Sequence, residues 1–323
     1  MAILDPEDFR GDYEQLAAVM RTSWAVGPNV TYLYTGELLA DWFRYPGATF
    51  GLAPAIYDGG ELVAFAAGLP RQAVLAGATR RILIATFVTV AAPRKSAGHG
   101  TAIWTELVRR AAAAGYDGVV TYCADGQTMQ RIVERRCREL AYPQLRLKSF
   151  SYLVRGLTPA TSRPGEVSAA PTARTLIDAA AHVPGAQQRG ADTHSVVRVW
   201  DEAEAEWQLS RLGSLAVTAD GGVLCGTVAA VDDAARTRCL IVEDILWGPL
   251  DHAARGMLLA ELLEQGTGEG ASYAVVPTLG YADLRPFLVA GFLPAPHTMH
   301  ANLTLWSDSD AVHPAESFYL DVI

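Results

Sequence analysis

Residues 81–93 read RILIATFVTVAAP, a nearly all-apolar run that is rich in β-branched side chains. Such a run suits a strand that is buried on both faces of a sheet. A short basic turn with two glycines follows at residues 94–100, and the apolar residues of 101–114 then recur at helical spacing as far as Gly115. Another short strand is predicted at Gly118–Ala124, so the segment predicts a strand–turn–helix–strand unit.

The same order of elements recurs in the second part of the chain, which indicates an internal duplication. An apolar strand at Cys239–Trp247 is followed by a proline, a helix at Ala253–Glu264 and a strand at Ser272–Val276. The segment between the two parts, residues 157–171, is rich in Pro, Ser, Thr and Ala and has no apolar period. We therefore predict an α/β chain with two tandem domains, 1–157 and 172–323, and a linker at 158–171.

Composition excludes several other classes of protein. Half of the 323 residues are hydrophobic, which argues against a disordered chain. The sequence has no uninterrupted apolar window of about 18 residues and its first residues are acidic, which argues against a membrane span and a secretory signal. The four cysteines are far apart and form no CxxC, a pattern typical of free thiols in a reducing compartment. We therefore expect a cytoplasmic protein without a membrane partner.

The charge is divided unevenly between the two parts of the chain. Residues 1–157 hold 17 Lys and Arg against 14 Asp and Glu, whereas residues 158–323 hold 9 against 21. This division favours an anionic ligand for the first part and a cationic substrate for the second, because net charge steers charged partners. An acidic surface that only aids solubility is the alternative interpretation.

The turn between the first buried strand and its helix has the composition of an anion site. The N-terminus of a helix offers unpaired N–H groups and a partial positive charge, and Gly98 and Gly100 let the backbone approach a ligand closely. Arg94 and Lys95 add formal positive charge. The sequence has no GxxxxGKS/T motif and no GxGxxG spacing, so neither a P-loop nor a dinucleotide fold is favoured. The pattern predicts a site for a phosphate or a pyrophosphate.

Residues 88–100, VTVAAPRKSAGHG, resemble the acyl-CoA motif of the GCN5-related N-acetyltransferase (GNAT) family, in which a strand ends in V-x-P and a glycine turn follows. Lys95 stands where the family usually has Gln or Arg. Residues 287–292 resemble the late helix-to-strand Gly-Phe signature of the same family. The resemblance implies two tandem GNAT-like domains, each a central mixed sheet flanked by helices. It also implies acetyl-CoA or another acyl-CoA as cosubstrate, and no metal.

The resemblance implies a role for each residue of the motif. Backbone groups of Val88 and Val90 are expected to pair with the pantetheine arm as an additional strand would. Lys95, with Arg94 beside it, is expected to supply positive charge, and the side chain of His99 is expected to face solvent. The pyrophosphate is expected to bind the backbone amides of six consecutive residues: Ser96, Ala97, Gly98, His99, Gly100 and Thr101.

The corresponding turn in the second part of the chain departs from this motif. Residues 249–256, PLDHAARG, lack the two closely spaced glycines, and Asp251 would repel a pyrophosphate. The second domain is therefore expected to bind CoA poorly and to form the acceptor side of a single active site, while the first domain binds the donor.

Four residues are candidates for the proton transfers of catalysis. The family often has a glutamate on its CoA-binding strand and a tyrosine on the second helix, but the matching segments here contain neither. Tyr122, on the neighbouring strand, is a substitute for the acid, although a half-buried strand aromatic is the alternative interpretation. Glu243 and Asp244 lie in the matching apolar strand of the second part, and they are candidates because paired acids are unusual in such a strand. The α-carboxylate of Ile323 is the fourth candidate, because some tandem relatives use the chain terminus as the base. A tail that only completes the edge of a sheet is the alternative interpretation.

These observations favour an N-acyltransferase that moves an acetyl or other small acyl group from acyl-CoA to a primary amine of a small, cationic molecule. Natural-product biosynthesis or antibiotic modification is the expected setting. One alternative is an aminoacyl-tRNA-dependent transferase of Fem-like tandem fold, in which Arg131, Arg135, Arg136 and Arg138 would meet tRNA phosphates. The formal net charge of −9 opposes such a nucleic-acid surface, and a solvated helix face explains the arginines more simply. Another alternative is a non-catalytic CoA-binding module.

Overall fold

The computed structural model describes residues 4–24, 32–95, 97–158, 170–184, 186, 195–231, 236–306 and 312–321. Within these ranges, two β-sheets with parallel and antiparallel pairs form the centre of the molecule, and helices pack on them. The prediction of an α/β fold with helices on mixed sheets is confirmed. None of the helices in these ranges is long and apolar enough to cross a membrane.

The first sheet takes strands from both parts of the chain. Its members are β1 (Glu7–Asp8), β2 (Pro54–Asp58), β3 (Glu61–Leu75), β4 (Ala78–Val90), β5 (Gly118–Ala124), β6 (Gln144–Phe150), β8 (Ser195–Val199), β14 (Met299–Leu305) and β15 (Ser317–Tyr319). The order of the main path is β1-β2-β3-β4-β5-β14-β6, with β8 paired to one end of β3 and β15 paired to β8. Strands β4 and β5 are parallel, whereas β3 and β4 are antiparallel.

The second sheet has six strands and the same arrangement around its parallel pair. Its members are β7 (Tyr152–Gly156), β9 (Ser214–Ala219), β10 (Gly222–Ala230), β11 (Arg238–Leu246), β12 (Ala271–Pro277) and β13 (Leu293–Pro294). The order is β13-β7-β12-β11-β10-β9, and β11 and β12 are parallel. The units β4–helix–β5 and β11–helix–β12 therefore correspond to each other, as the repeated order of elements predicts.

Helices cover both faces of the first sheet. Along β3, Ala64 and Ala66 pack in one apolar cluster and Phe65 and Ala67 in another, as alternation along a strand requires. The first cluster includes α3 (His99–Ala113) and α4 (Thr128–Leu140), and the second includes α1 (Tyr13–Trp24) and α2 (Gly36–Trp42). The core around the second sheet includes side chains of four further helices: α5 (Ala173–Ala180), α6 (Glu202–Ser210), α7 (His252–Gly268) and α8 (Arg285–Val289).

The two parts of the chain exchange strands. β14 comes from the second part and lies between β5 and β6 of the first sheet, whereas β7 comes from the first part and lies between β12 and β13 of the second. Each sheet therefore needs residues from both sides of the predicted linker. Residues 159–169 of that linker lie outside the described ranges, and the boundaries 1–157, 158–171 and 172–323 remain predictions.

Two details of the strand prediction are wrong. The apolar runs of the sequence predict separate strands at residues 62–68 and 72–75, but these residues form one strand, β3. Pro70 lies in it between the segments that pair with β2 and β8, where its missing N–H removes no bond to either strand. The sequence also predicts a single strand at residues 149–154, but these residues belong to β6 and β7, which separate at Ser151 and enter different sheets.

Candidate functional site

The parallel strands β4 and β5 diverge at the end that precedes α3. Their pairing ends at Ala85 and Thr121, although both strands continue, to Val90 and to Ala124. We call the space between these unpaired ends the first wedge. A β-bulge in β4 lies beside it, and Phe87 in that bulge has a φ of 54°, which a bulky side chain rarely adopts. Strain of this kind is typical of functional sites.

The N-terminus of α3 lies at the open end of this wedge and has no side-chain cap. Its N-cap residue is Gly98, with a φ of 85°. The amides of Thr101 and Ala102 donate to the Gly98 carbonyl, and the amide of Ala97 donates to Arg94. The amides of residues 98–100 have no hydrogen-bond partner among the described residues, so they are available to an anion. Ser96 lies outside the described residues.

Gly100 brings the first turn of α3 close to its neighbours. A Cβ atom at this position would lie 3.2 Å from Cδ1 of Ile132 on α4 and 3.4 Å from Cγ2 of Val90 on β4. Glycine therefore permits a closer approach of the helix than any other residue would. Val88 and Val90 lie on β4 at the wedge, with their side chains partly buried against the α3 cluster.

The two predicted cations of the turn are held by protein partners. Lys95 Nζ donates to the carbonyl of Ser23 at 2.7 Å, and Arg94 Nη2 lies 2.5 Å from a carboxylate oxygen of Asp58. Ser23 also donates from Oγ to the carbonyl of Val90 at 2.8 Å, so the end of α1 contacts the edge of the wedge. Both cations lie beside the uncapped helix terminus, but a bound anion would compete with these partners.

His99 does not face solvent, and that prediction is wrong. Its side chain is fully buried beside Arg94, at the first position of α3. Burial, and then the charge of Arg94, lower the pKa of the imidazole, so the ring is neutral at neutral pH. Neither ring nitrogen has a hydrogen-bond partner among the described residues.

Other buried polar groups around the first wedge also lack partners among the described residues. They are the hydroxyl of Thr89 on β4, the hydroxyl of Thr121 on β5 and the indole N–H of Trp104 on α3. Buried polar groups without partners are rare in native proteins and call for an explanation.

The second unit has the same geometry, but side chains of the protein fill it. The pairing of β11 with β12 ends at Ile241 and Val275, and Glu243 is the extra residue of a bulge. The hydroxyl of Tyr281 donates to the Glu243 carbonyl at 3.2 Å and accepts from the Ile245 amide at 3.0 Å. This side chain therefore occupies backbone groups of β11 beyond the point where β12 stops pairing with it.

The N-terminus of α7 is also satisfied internally. A carboxylate oxygen of its N-cap residue, Asp251, accepts from the Ala254 amide at 2.9 Å, where α3 has the uncapped Gly98. A side-chain carboxylate in this position leaves less of the terminal positive charge for an external anion.

Tyr122 lies on β5 one residue beyond the point of divergence and contacts the C-terminal segment (residues 312–321). Its hydroxyl donates to the carbonyl of Asp321 at 2.8 Å. Burial, and then the charge of Asp321, raise the pKa of Tyr122 well above its usual value, so the phenol stays protonated at neutral pH. The structure thus brings Tyr122 to the last described residues of the chain, whereas Ile323 lies outside the described ranges.

Glu243 is held by the second half of the molecule. Its carboxylate forms an ion pair with the buried Arg211 and accepts from Gln208 Nε2 at 3.1 Å and Thr227 Oγ1 at 3.2 Å. Asp244 is 4% exposed. The structure connects it to the C-terminal segment through Tyr319, whose hydroxyl donates to it at 2.9 Å.

Two buried arginines hold the C-terminal segment in place, and the sequence analysis missed them. Arg71 Nε lies 3.0 and 2.8 Å from the two carboxylate oxygens of Asp321, and Arg198 Nη1 lies 3.1 Å from one of them. The arginine side chains are 0% and 1% exposed. The guanidinium of Arg71 also lies over the ring of Tyr45, and that of Arg198 over the ring of Trp200. A single arginine within an apolar strand was the sign that could have identified each of them.

Comparisons with known proteins identify the fold. No protein-family model matches the sequence, and no curated protein sequence matches it. Saccharomyces cerevisiae N-myristoyltransferase with bound myristoyl-CoA is similar in structure, with a TM-score of 0.70 and 11% identity, over 94% of this chain and 83% of that chain. A GCN5-related N-acetyltransferase from Kribbella flavida is similar with a TM-score of 0.54 and 16% identity, over 93% of this chain and 70% of that chain. The chain has a tandem GNAT fold. The fold that the resemblance of residues 88–100 implies is therefore confirmed.

Within this GNAT fold, the titration of Asp244 gives a testable prediction. Burial raises its pKa to about 6, against the opposing charge of Arg198 and with the support of Glu243. Because the folded-state pKa lies above the unfolded value, ionisation opposes folding, and stability falls as the pH rises from about 4 to about 6. Relative to Asp244→Asn, we expect the wild-type unfolding free energy to fall by about 3 kcal/mol across that window. Urea denaturation of both proteins at several pH values measures it, and a pH-independent difference would contradict it.

Proposed function

We propose that the chain is an acyl-CoA-dependent N-acyltransferase whose donor binds at the first wedge. The observation that carries this proposal is the contrast between the two units. In the first unit, the diverging strands lead to a helix terminus whose amides at residues 98–100 have no partner among the described residues. In the second, Tyr281 pairs the edge of β11 and Asp251 caps α7. The fold supports the proposal, because both solved relatives are named as acyltransferases and one carries myristoyl-CoA.

The residues around the first wedge fit the parts of an acyl-CoA. The amides of residues 98–100 would bind the pyrophosphate, with Lys95 and Arg94 supplying charge once they leave their protein partners. The edge of β4 at Val88 and Val90 would pair with the amides of the pantetheine arm. The bulge at Phe87 leaves a residue of β4 without a ladder partner, and its amide would donate to the thioester oxygen as negative charge develops there.

The reaction is then attack by a neutral amine on the thioester carbonyl. The C–N bond forms and the C–S bond breaks, the amine proton passes to a base and the CoA thiolate takes a proton from an acid. Tyr122 is the acid we propose, because its phenol is protonated and lies beside the wedge. Asp244 is the candidate for the base, whereas the ion pair with Arg211 makes Glu243 a poorer one.

The acceptor we propose is a small molecule with a primary amine. The excess of acidic residues in the second part of the chain favours a cationic acceptor. A cytoplasmic location and a role in natural-product biosynthesis or antibiotic modification remain predictions from composition.

A turnover assay tests this proposal. Acetyl-CoA and myristoyl-CoA are incubated with the protein and a panel of polyamines, aminosugars and peptide N-termini, and the release of free CoA thiol is followed. We expect amine-dependent release, and we expect Tyr122→Phe to lower kcat by about 10²-fold or more without changing the affinity for acyl-CoA. Binding of acyl-CoA without release for any amine would instead indicate a CoA-binding module.

A further inference from the structure

Four arginines lie on α4, and the structure divides them into two pairs. Arg131 Nη2 donates to Thr128 Oγ1 and Arg138 Nε donates to the Glu134 carbonyl, so both contact their own helix. The other two reach across to α3. Arg135 Nη2 donates to Thr101 Oγ1 at 2.9 Å, and Arg136 Nε donates to Thr105 Oγ1 at 3.0 Å.

This second pair lines a groove of about 330 Å³ between α3 and α4. The groove starts at Gly98, the N-cap of α3, and extends to Thr105. Its length along the helix is about 10 Å, from the rise of 1.5 Å per residue. The other residues of its lining are Pro6, Thr101, Ala102, Glu106, Arg135 and Arg136.

The charge of the groove is positive despite one carboxylate in its lining. Hydrogen bonds from Arg109 and Arg110 lower the pKa of Glu106 to about 2, so this carboxylate is ionised at neutral pH. The positive charges of the two arginines offset its negative charge. Arg136 is paired with Glu139. Arg135 lies 3.8 Å from the same Glu139 at its nearest approach, and its side chain is 57% exposed. A guanidinium has five N–H donors in a planar fork, which matches the oxygens of a phosphate.

We propose that this groove binds the 3′-phosphate of acyl-CoA and distinguishes CoA from 3′-dephospho-CoA. The inference rests on the proposed function, which places the pyrophosphate at residues 98–100. The ribose 3′-phosphate of CoA is separated from that pyrophosphate by one sugar ring, a span that the groove accommodates. Arg135 and Arg136 supply the phosphate contacts, and the hydroxyls of Thr101 and Thr105 position them.

Calorimetric titration with CoA and with 3′-dephospho-CoA tests the inference. We expect the wild-type chain to bind CoA about 10-fold more tightly than 3′-dephospho-CoA, since the dephosphorylated ligand cannot form the charge-assisted hydrogen bonds of the phosphate. In Arg135→Gln/Arg136→Gln, this ratio should fall to about one while the affinity for 3′-dephospho-CoA stays within about twofold, since only the phosphate contact is lost. The matched control, Arg131→Gln/Arg138→Gln, removes the same charge from the same helix and should keep the wild-type ratio.

The outcomes separate this inference from the proposed function. If both ligands bind and Arg135→Gln/Arg136→Gln keeps the wild-type affinity ratio, the groove does not bind the 3′-phosphate, although the chain still binds CoA. If neither ligand binds the wild-type chain, both proposals fail. A third arm measures binding of bulk tRNA to the same variants. Loss of tRNA binding in Arg135→Gln/Arg136→Gln with an unchanged CoA ratio would assign the arginines to nucleic acid and overturn the inference.

Discussion

Replacement of Gly100 with glutamate is expected to weaken acyl-CoA binding by about 100-fold or more, which corresponds to about 2.7 kcal/mol. The new carboxylate would stand at the second residue of α3, among the amides that we assign to the pyrophosphate, and juxtaposed like charges cost several kcal/mol. The side chain would also press on Ile132 and Val90, which lie within 3.4 Å of the Cβ position. Calorimetric titration with acetyl-CoA measures the effect.

Two control variants separate the effect of the added charge from the effects of side-chain volume and of position in the fold. Ala253→Glu places the same carboxylate at the second residue of α7, where the side chain is exposed, and it should leave the affinity unchanged. Gly100→Ala tests space without charge and should have a smaller effect than glutamate. An equal loss of affinity in Ala253→Glu, or wild-type affinity in Gly100→Glu, would place the donor elsewhere.

Removal of the Asp321 carboxylate is expected to destabilise the fold by about 3–5 kcal/mol, because it leaves the buried guanidinium of Arg71 without its carboxylate partner. Burial raises the pKa of Asp321, but the charges of Arg198 and Arg71 outweigh burial and hold that pKa well below its usual range. The carboxylate therefore stays ionised, and its stabilising effect is lost only as the pH falls below the unfolded value of about 4. Asp321→Ala and Asp321→Asn at neutral pH, compared by urea denaturation, measure the cost.

Asp178 provides a matched control for this experiment. It forms an ion pair with Arg174 on α5, but the two side chains are 57% and 80% exposed. Asp178→Asn should therefore change the unfolding free energy by no more than about 1 kcal/mol. If Asp321→Ala costs no more than Asp178→Asn, the arginines do not anchor the C-terminal segment. The ion pairs of Asp321 would then not be what holds that segment beside Tyr122.

The sequence predicted the parts of the fold that rest on local signals. The strand at 118–124 and the helix that follows the glycine turn are visible in apolar spacing, and they form β5 and α3. Both elements depend on a few neighbouring residues, so the sequence alone was sufficient. The cap that Asp251 forms on α7, and its absence at Gly98 on α3, are equally local features, but the sequence analysis did not predict them.

Features that depend on distant residues were missed. Arg71 and Asp321 are 250 positions apart, and no local pattern indicates that a lone arginine in one strand meets a carboxylate near the end of the chain. The exchange of β7 and β14 between the sheets is a property of strand pairing, and apolar periodicity does not indicate which strands pair. The burial of His99 depends on how the α3 terminus packs against its neighbours. The composition of residues 94–100 indicates an exposed turn and contains no information on that packing.

Amide hydrogen exchange with and without acetyl-CoA tests most directly the central claim that the first wedge binds the donor. We predict slower exchange at the end of β4 and at residues 98–100 when acetyl-CoA is present, and unchanged exchange at the end of β11 and the start of α7. Protection confined to β11 and α7, or no protection in either unit at saturating acetyl-CoA, would contradict the claim.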